Sequence, residues 1–161
     1  MTRSEGLSFL PAGGPRDYDR AKELFLEYAR SLSFDLCFQG IDAELAGIAT
    51  IYGGRHGGII LVKDDRTGGY IGCAGIRRMD SLTAELKRMY VREEYRGRGL
   101  GRALLDRAIR LAKDLGYRRV RLDTMATMTR AIALYKAHGF RETEPYRYNP
   151  ETGALFFELD L

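Results

Sequence analysis

The stretch Val91-Arg92-Glu93-Glu94-Tyr95-Arg96-Gly97-Arg98-Gly99-Leu100-Gly101-Arg102 constrains the fold more than any other part of this 161-residue chain. It joins the end of an apolar strand to an amphipathic helix through three alternating glycines. The helix is read from Leu100, Leu104, Ala108, Leu111 and Leu115, spaced 4, 4, 3 and 4 residues apart, which puts them on one face. Gly116 follows in the position where helices commonly stop. Residues 119–124 alternate and read as the next strand. A strand, a covering helix and a second strand make a crossover, and a crossover requires a parallel step in the sheet.

The same loop carries a chemical message. The first turn of a helix has backbone N–H groups without internal partners and about half a positive charge from the aligned peptide dipoles. Glycines let that backbone approach a ligand closely and adopt positive φ without strain. Arg96, Arg98 and Arg102 add charge and forked donors. Together these make a cradle for a pyrophosphate. No Lys-Ser/Thr follows the glycines, so this is not a P-loop, and Gly97, Gly99 and Gly101 lack the third-glycine offset of a dinucleotide fingerprint.

The remaining elements follow from punctuation and period. A first strand near residues 7–10 ends at Pro11-Ala12-Gly13-Gly14-Pro15. Asp17 then stands where a helix N-cap is expected, and Ala21, Leu24, Phe25, Tyr28 and Leu32 follow at helical spacing. Residues 34–51 are ambiguous apart from a short helix after Asp42, and residues 53–58 form a glycine-rich loop. Strands at 59–63 and 70–77 flank a hairpin connection, and a third strand covers 84–91. A short helix spans 129–137, Phe140 begins another strand, and 154–161 closes the sheet. The expectation is one α/β (α+β) domain over residues 1–161. Its sheet is mixed, mostly antiparallel and six- to seven-stranded, flanked by about four helices.

Composition narrows the setting. The chain is 45% hydrophobic and 30% charged, with no apolar run approaching the ~20 residues of a membrane span. No basic region precedes an apolar one at the N-terminus, so a cytoplasmic protein without membrane partners is expected. The formal charge of +4 favours anionic partners in general. Because the arginines gather at the glycine loop and no nucleic-acid-binding motif is present, nucleic acid is not expected. Cys37 and Cys73 match no zinc or redox spacing and read as reduced structural residues. His56 and His138 sit in a glycine loop and a helix stop, and no His/Asp/Glu cluster has metal-ligand spacing, so no metal is expected.

Arg96-x-x-Gly99-x-Gly101 resembles the Q/R-x-x-G-x-G/A signature of the GCN5-related N-acetyltransferases, the GNAT superfamily. Glu85-Leu86-Lys87-Arg88-Met89-Tyr90-Val91 is similar to that family's preceding strand, and Leu134-Tyr135-Lys136-Ala137-His138-Gly139-Phe140 to its L-Y-x-x-x-G-F ending. The resemblance is strong over residues 59–140. It implies a splayed parallel strand pair forming a cleft for acetyl-coenzyme A.

In that cleft, main-chain groups of Met89 and Val91 would hold the pantetheine arm. Arg96, Gly97, Arg98, Gly99, Leu100, Gly101 and Arg102 would hold the pyrophosphate, Ala131 would flank the cofactor, and an N–H near Tyr90 would face the developing oxyanion. Glu85 matches the family's general-base glutamate, with a pKa expected to rise on partial burial; the competing readings are a substrate ligand or an ion pair with Lys87 or Arg77. Tyr135 matches the tyrosine whose hydroxyl reaches the thioester sulfur. Met128 stands where the family often has asparagine, and that role is not transferred.

The acceptor is expected to be a small-molecule amine, an amino acid or related compound, attacking directly in a ternary complex. Arg77, Lys87, Asp123 and Tyr146 are its candidate ligands, with Arg77 and Lys87 suited to a carboxylate if both face the cleft. A protein or peptide acceptor, and a non-catalytic coenzyme A or nucleic-acid binder, are the alternatives. The family also admits a homodimer.

Overall fold

A computed structural model describes residues 6–35 and 40–161. The strand–loop–helix unit has the expected form: β4 (Thr83–Val91), a single 3-10 turn at Glu93–Tyr95, then α4 (Leu100–Asp114). Leu100, Leu104 and Ala108 are buried on the inner face of α4 with Leu105 and Ala112, while Leu111 and Leu115 pack at its margin. Each such leucine, removed from water, contributes about 2 kcal/mol.

Before this unit come β1 (Leu7–Pro11), α1 (Pro15–Ser31), α2 (Ile41–Ala46), α3 (Ile48–Ile51), β2 (Gly58–Asp64) and β3 (Tyr70–Arg78). After it come β5 (Arg119–Met125), α5 (Thr129–Ala137), β6 (Arg141–Thr143) and β7 (Ala154–Asp160). All seven strands form one sheet in the order β1-β2-β3-β4-β5-β7-β6. Only β4 and β5 run parallel, as the crossover demands; the other pairs are antiparallel.

Two cores sandwich the sheet. Val62, Ile71, Ile76, Leu86, Val120, Leu122 and Phe157 meet α4 and α5 on one face. Ala21, Leu24 and Phe25 of α1 meet Ile48, Tyr52, Leu61 and Cys73 on the other.

Two local expectations are corrected. α1 begins at Pro15 with Gly14 as its N-cap, not at Asp17. Proline suits the first helical position because it has no N–H to satisfy. Asp17 lies in the first turn and accepts a hydrogen bond from the Gly13 N–H at 2.8 Å. The short last-but-one strand begins at Arg141, because Phe140 is still tied to the end of α5 by its N–H to the Tyr135 carbonyl at 3.1 Å. The helices number five among the described residues, in keeping with the expected count of about four, with Gly47 dividing the ambiguous stretch into α2 and α3.

Candidate active site

β4 and β5 pair through only three positions, Thr83↔Arg119, Ala84↔Val120 and Glu85↔Arg121. Beyond Glu85 the strands diverge, which leaves the β5-facing edge of residues 86–91 without a ladder partner. A groove of about 780 Å³ opens at this splay. Met89, Tyr90, Val91, Arg96, Gly97, Gly99, Leu100, Gly101, Arg102 and Ala131 all line it. Tyr28 of α1, Leu32 just after its end and Met128 of the α5 entry add to the walls.

The loop has the conformation an anion cradle needs. Gly97 and Gly99 take φ of 76° and 75°, a region costly for residues with a Cβ. Gly99 is the N-cap of α4, no side chain caps that end, and no acid sits in the first turn. The N–H of Ala103 is the first to bond inside the helix, to the Gly99 carbonyl at 3.1 Å. The N–H groups of Leu100, Gly101 and Arg102 therefore remain for an external acceptor. Arg98 departs from expectation: its guanidinium stacks 5.4 Å over the Tyr95 ring and does not line the groove. Arg96 is anchored by its Nε donating to the Val91 carbonyl at 2.9 Å, so that carbonyl already has a partner within the chain.

The middle of β4 is irregular. Cys73↔Tyr90 and Gly75↔Lys87 are paired, so Arg88 and Met89 together oppose Ala74 alone, which is a β-bulge. Arg88 has φ of 56°, unusual for a non-glycine residue. The bulge solves a packing conflict, because strict alternation would turn one of the adjacent cations Lys87 and Arg88 into the apolar core under α4. Arg88 instead reaches α2 and forms a two-pronged buried ion pair with Glu44, at 2.9 and 3.1 Å. Sequence reasoning missed this pair; two consecutive cations inside an apolar strand were the available signal.

Glu85 is fully buried, and both of its oxygens are taken. Oε1 accepts from Arg77 Nε at 2.8 Å, while Oε2 accepts from the Tyr146 hydroxyl at 2.7 Å and from Arg147. Burial by itself raises a carboxyl pKa, but Lys87, Arg77 and Arg147 with the Tyr146 hydroxyl outweigh it and hold Glu85 below its ordinary value. The expected rise in its pKa is thus corrected. Tyr146 also packs edge-on against Phe156 at 5.2 Å, so the loop between β6 and β7 is fastened over this face of the sheet.

Two further cavities are present. A small chamber of about 40 Å³ is lined by Lys87, Arg88, Asp123, Thr124 and Asn149, and shares Tyr28 and Met128 with the groove. A wider opening is lined by His56, Arg77, Arg78, Glu85 and Arg147. Arg77 and Lys87 therefore occupy different cavities, and the joint carboxylate site expected of them is not formed.

The family model described as the acetyltransferase (GNAT) family matches residues 18–140 of the chain. This chain belongs to the GNAT acetyltransferase family. An uncharacterized N-acetyltransferase of Schizosaccharomyces pombe is 38% identical over 162 residues, covering 100% of this chain and 99% of the relative. Among solved structures, an acetyltransferase from Streptococcus agalactiae superposes with a TM-score of 0.78 at 21% identity, covering 98% of this chain and 99% of the other. A GNAT acetyltransferase from Elizabethkingia anophelis with acetyl-CoA bound gives 0.67 at 25% identity, covering 98% and 100%.

Within this GNAT domain, Tyr135 is 7% exposed, with its ring against Phe140 and Phe157 at 5.8 and 6.4 Å. It lines neither the groove nor the chamber. Burial, followed by the fields of Tyr28 and Asp123, pushes its hydroxyl pKa up and keeps it protonated. Cys73 is fully buried and its thiol donates to the Arg88 carbonyl at 3.3 Å; burial pushes its pKa up, the opposite of a nucleophile's requirement. Cys37 lies outside the described residues. His138 joins α5 to α4 through Leu134 O at 2.9 Å and Asp106 at 2.7 Å, and His56 contributes its carbonyl to the Tyr117 hydroxyl at 2.6 Å. Among the described residues no helix is long and apolar enough to cross a membrane, and no group of three or more acidic, His or Cys side chains is placed to hold a metal ion.

Proposed function

We propose that the chain transfers an acetyl group from acetyl-coenzyme A directly to the amine of a small molecule. The observation that carries this reading is the junction of the long groove with the small polar chamber at Tyr28 and Met128. A donor arm in the groove and an amine at the chamber would meet there, and a chamber of this size suits a compact acceptor better than a folded protein surface.

Acetyl-coenzyme A supplies an activated thioester. The N–H groups of Leu100, Gly101 and Arg102, with the Arg96 and Arg102 side chains, would take its pyrophosphate. The free edge of β4 around Met89 would hold the arm as an added strand is held, and an N–H near Tyr90 would stabilise charge developing on the carbonyl oxygen. Tyr135, kept protonated by burial and carried on α5 with the groove-lining Ala131 and Leu134, would donate toward the leaving sulfur from that wall. Asp123 would attract the acceptor's ammonium, and Tyr146 would form part of its enclosing wall.

A thiol-release screen over amines, amino acids and peptides with acetyl-coenzyme A tests the reading. Turnover with small amines or amino acids is expected. Turnover confined to peptides would replace it with the protein-acceptor reading, and absence of acetyl-coenzyme A binding by calorimetry would end it.

A further inference from the structure

Glu85 occupies the position where the family resemblance places a base, yet its surroundings oppose that role. Its two oxygens serve Arg77, Tyr146 and Arg147, and it lines the wider arginine cavity, away from the groove. Placing a proton on it would strip Arg77 and Arg147 of their shared counter-charge. Its contacts fasten the β6–β7 loop.

The next residue on the same face of β4 toward the cofactor end is Lys87, about 7 Å along the strand. It is 4% exposed and lines the chamber that shares two walls with the groove. A cavity needs roughly 10–15 Å³ to hold one water; this one measures about 40 Å³ and is bounded by Lys87, Asp123, Thr124 and Asn149. Water there would have polar partners on several sides.

We infer that Lys87 takes the proton of the acceptor's ammonium through water held in this chamber, and that Glu85 is a positioning residue for the loop above it. This inference rests on the acetyltransferase reading. The charged groups acting on Lys87 are Glu85 and Arg88 on β4, Asp123 on β5 and Arg147 from the β6–β7 loop, with the Tyr28 hydroxyl of α1 across the chamber. Burial is the largest influence and lowers the pKa of Lys87 to about 8, within the range in which a lysine serves as a base. The proton balance closes. One proton passes from the ammonium to water as the water gives one to Nζ, and the freed nitrogen lone pair forms the N–C bond while the C–S bond breaks. The departing sulfur takes a proton from Tyr135, which the second proton shed by the new amide nitrogen restores, and Lys87 returns its own proton by the same water to solvent, one per turnover.

Two small amines separate this role from a merely structural one. Methylamine is protonated at pH 8 and must lose a proton before attack, whereas hydroxylamine is already neutral. Thiol release from acetyl-coenzyme A is followed with each amine from pH 6.5 to 9.5, using the full chain and its Lys87→Met and Lys87→Arg variants. With methylamine, kcat/KM of the parent should bend near pH 8, and both variants should lose about 100-fold or more at that pH. With hydroxylamine, both variants should stay within about threefold. Equal losses with the two amines, an unchanged methylamine profile in either variant, or no protein-accelerated release with either amine would overturn the inference. Calorimetry with acetyl-coenzyme A distinguishes these failures from failure of the acetyltransferase reading, since Lys87 is outside the groove and neither variant should change that affinity more than twofold.

Discussion

Glu85 serves three donors at once, and that decides what its loss would do. Glutamine at this position keeps the volume and one acceptor, but presents an amide N–H₂ to Arg77 or Arg147 and removes the charge both rely on. Breaking a buried pair from one side typically costs 3–5 kcal/mol because the remaining charge stays buried. Arg77 and Arg147 keep part of their surface in water, with side-chain exposures of 23% and 22%, which reduces the penalty. Glu85→Gln should therefore lower stability by about 2 kcal/mol, read as a shift in urea midpoint at pH 7. The pH dependence has a fixed sign. A carboxyl held below its ordinary 4.5 stabilises the fold above that value and loses the contribution as pH falls through the lower, folded value. The variant's deficit should accordingly shrink as pH falls below about 4.5. An unchanged midpoint at pH 7 would mean the three contacts are not energetically coupled to folding. The same logic makes Gly75 a packing position: a Cβ there would lie 2.7 Å from the ring of the buried Tyr52.

At the scale of elements, the cradle is a property of how α4 begins. Gly99→Val puts a β-branched residue at φ of 75° and shifts the first-turn N–H groups, so acetyl-coenzyme A affinity should fall at least tenfold in calorimetry. Arg98→Ala should change it less than threefold, since that side chain lies over Tyr95 outside the groove, whereas Arg102→Ala should weaken it by about tenfold. An Arg98→Ala loss as large as that of Arg102→Ala would contradict the placement. This element was legible in sequence because everything that defines it is local: the glycine spacing, the helical period and the strand before it. The β4 bulge was less so, because its cause is a partner 44 residues away, Glu44 on α2. The loop from residue 144 to 153 has no period at all. Its attachment to Glu85 spans 62 residues in sequence and depends on where β4 and β7 bring Arg147, which no local pattern encodes. The donor side of the site was thus readable, whereas the arrangement of Arg77, Lys87 and Asp123 depended on tertiary placement.

For the whole molecule, the buried lysine makes folding stability respond to alkali in an unusual direction. Lys87 titrates at about 8 when folded, against 10.5 for an unperturbed lysine. Below pH 8 it is charged in both states, and the full cost of burying that charge is present. Between about 8 and 10.5 the unfolded chain binds the extra proton, so stability from this residue rises with pH. The slope is about 1.4 kcal/mol per pH unit once the folded amine is neutral. Other groups act the opposite way. Cys73, and the tyrosines Tyr28, Tyr52, Tyr135 and Tyr146, are held protonated by burial, so the unfolded chain releases protons that the folded one keeps as pH passes about 9 to 10. The net curve should rise just above pH 8 and then turn down. Subtracting the curve of Lys87→Met isolates the lysine, because the cysteine and tyrosines are common to both proteins. Relative to the parent, the methionine variant should lose ground by about 1 kcal/mol for each pH unit from 8.5 upward, measured as urea midpoints at pH 7, 8, 8.5, 9 and 9.5. A difference that stays constant across that range would show that Lys87 remains charged in the folded protein, and would remove the electrostatic basis for its role in taking the acceptor's proton.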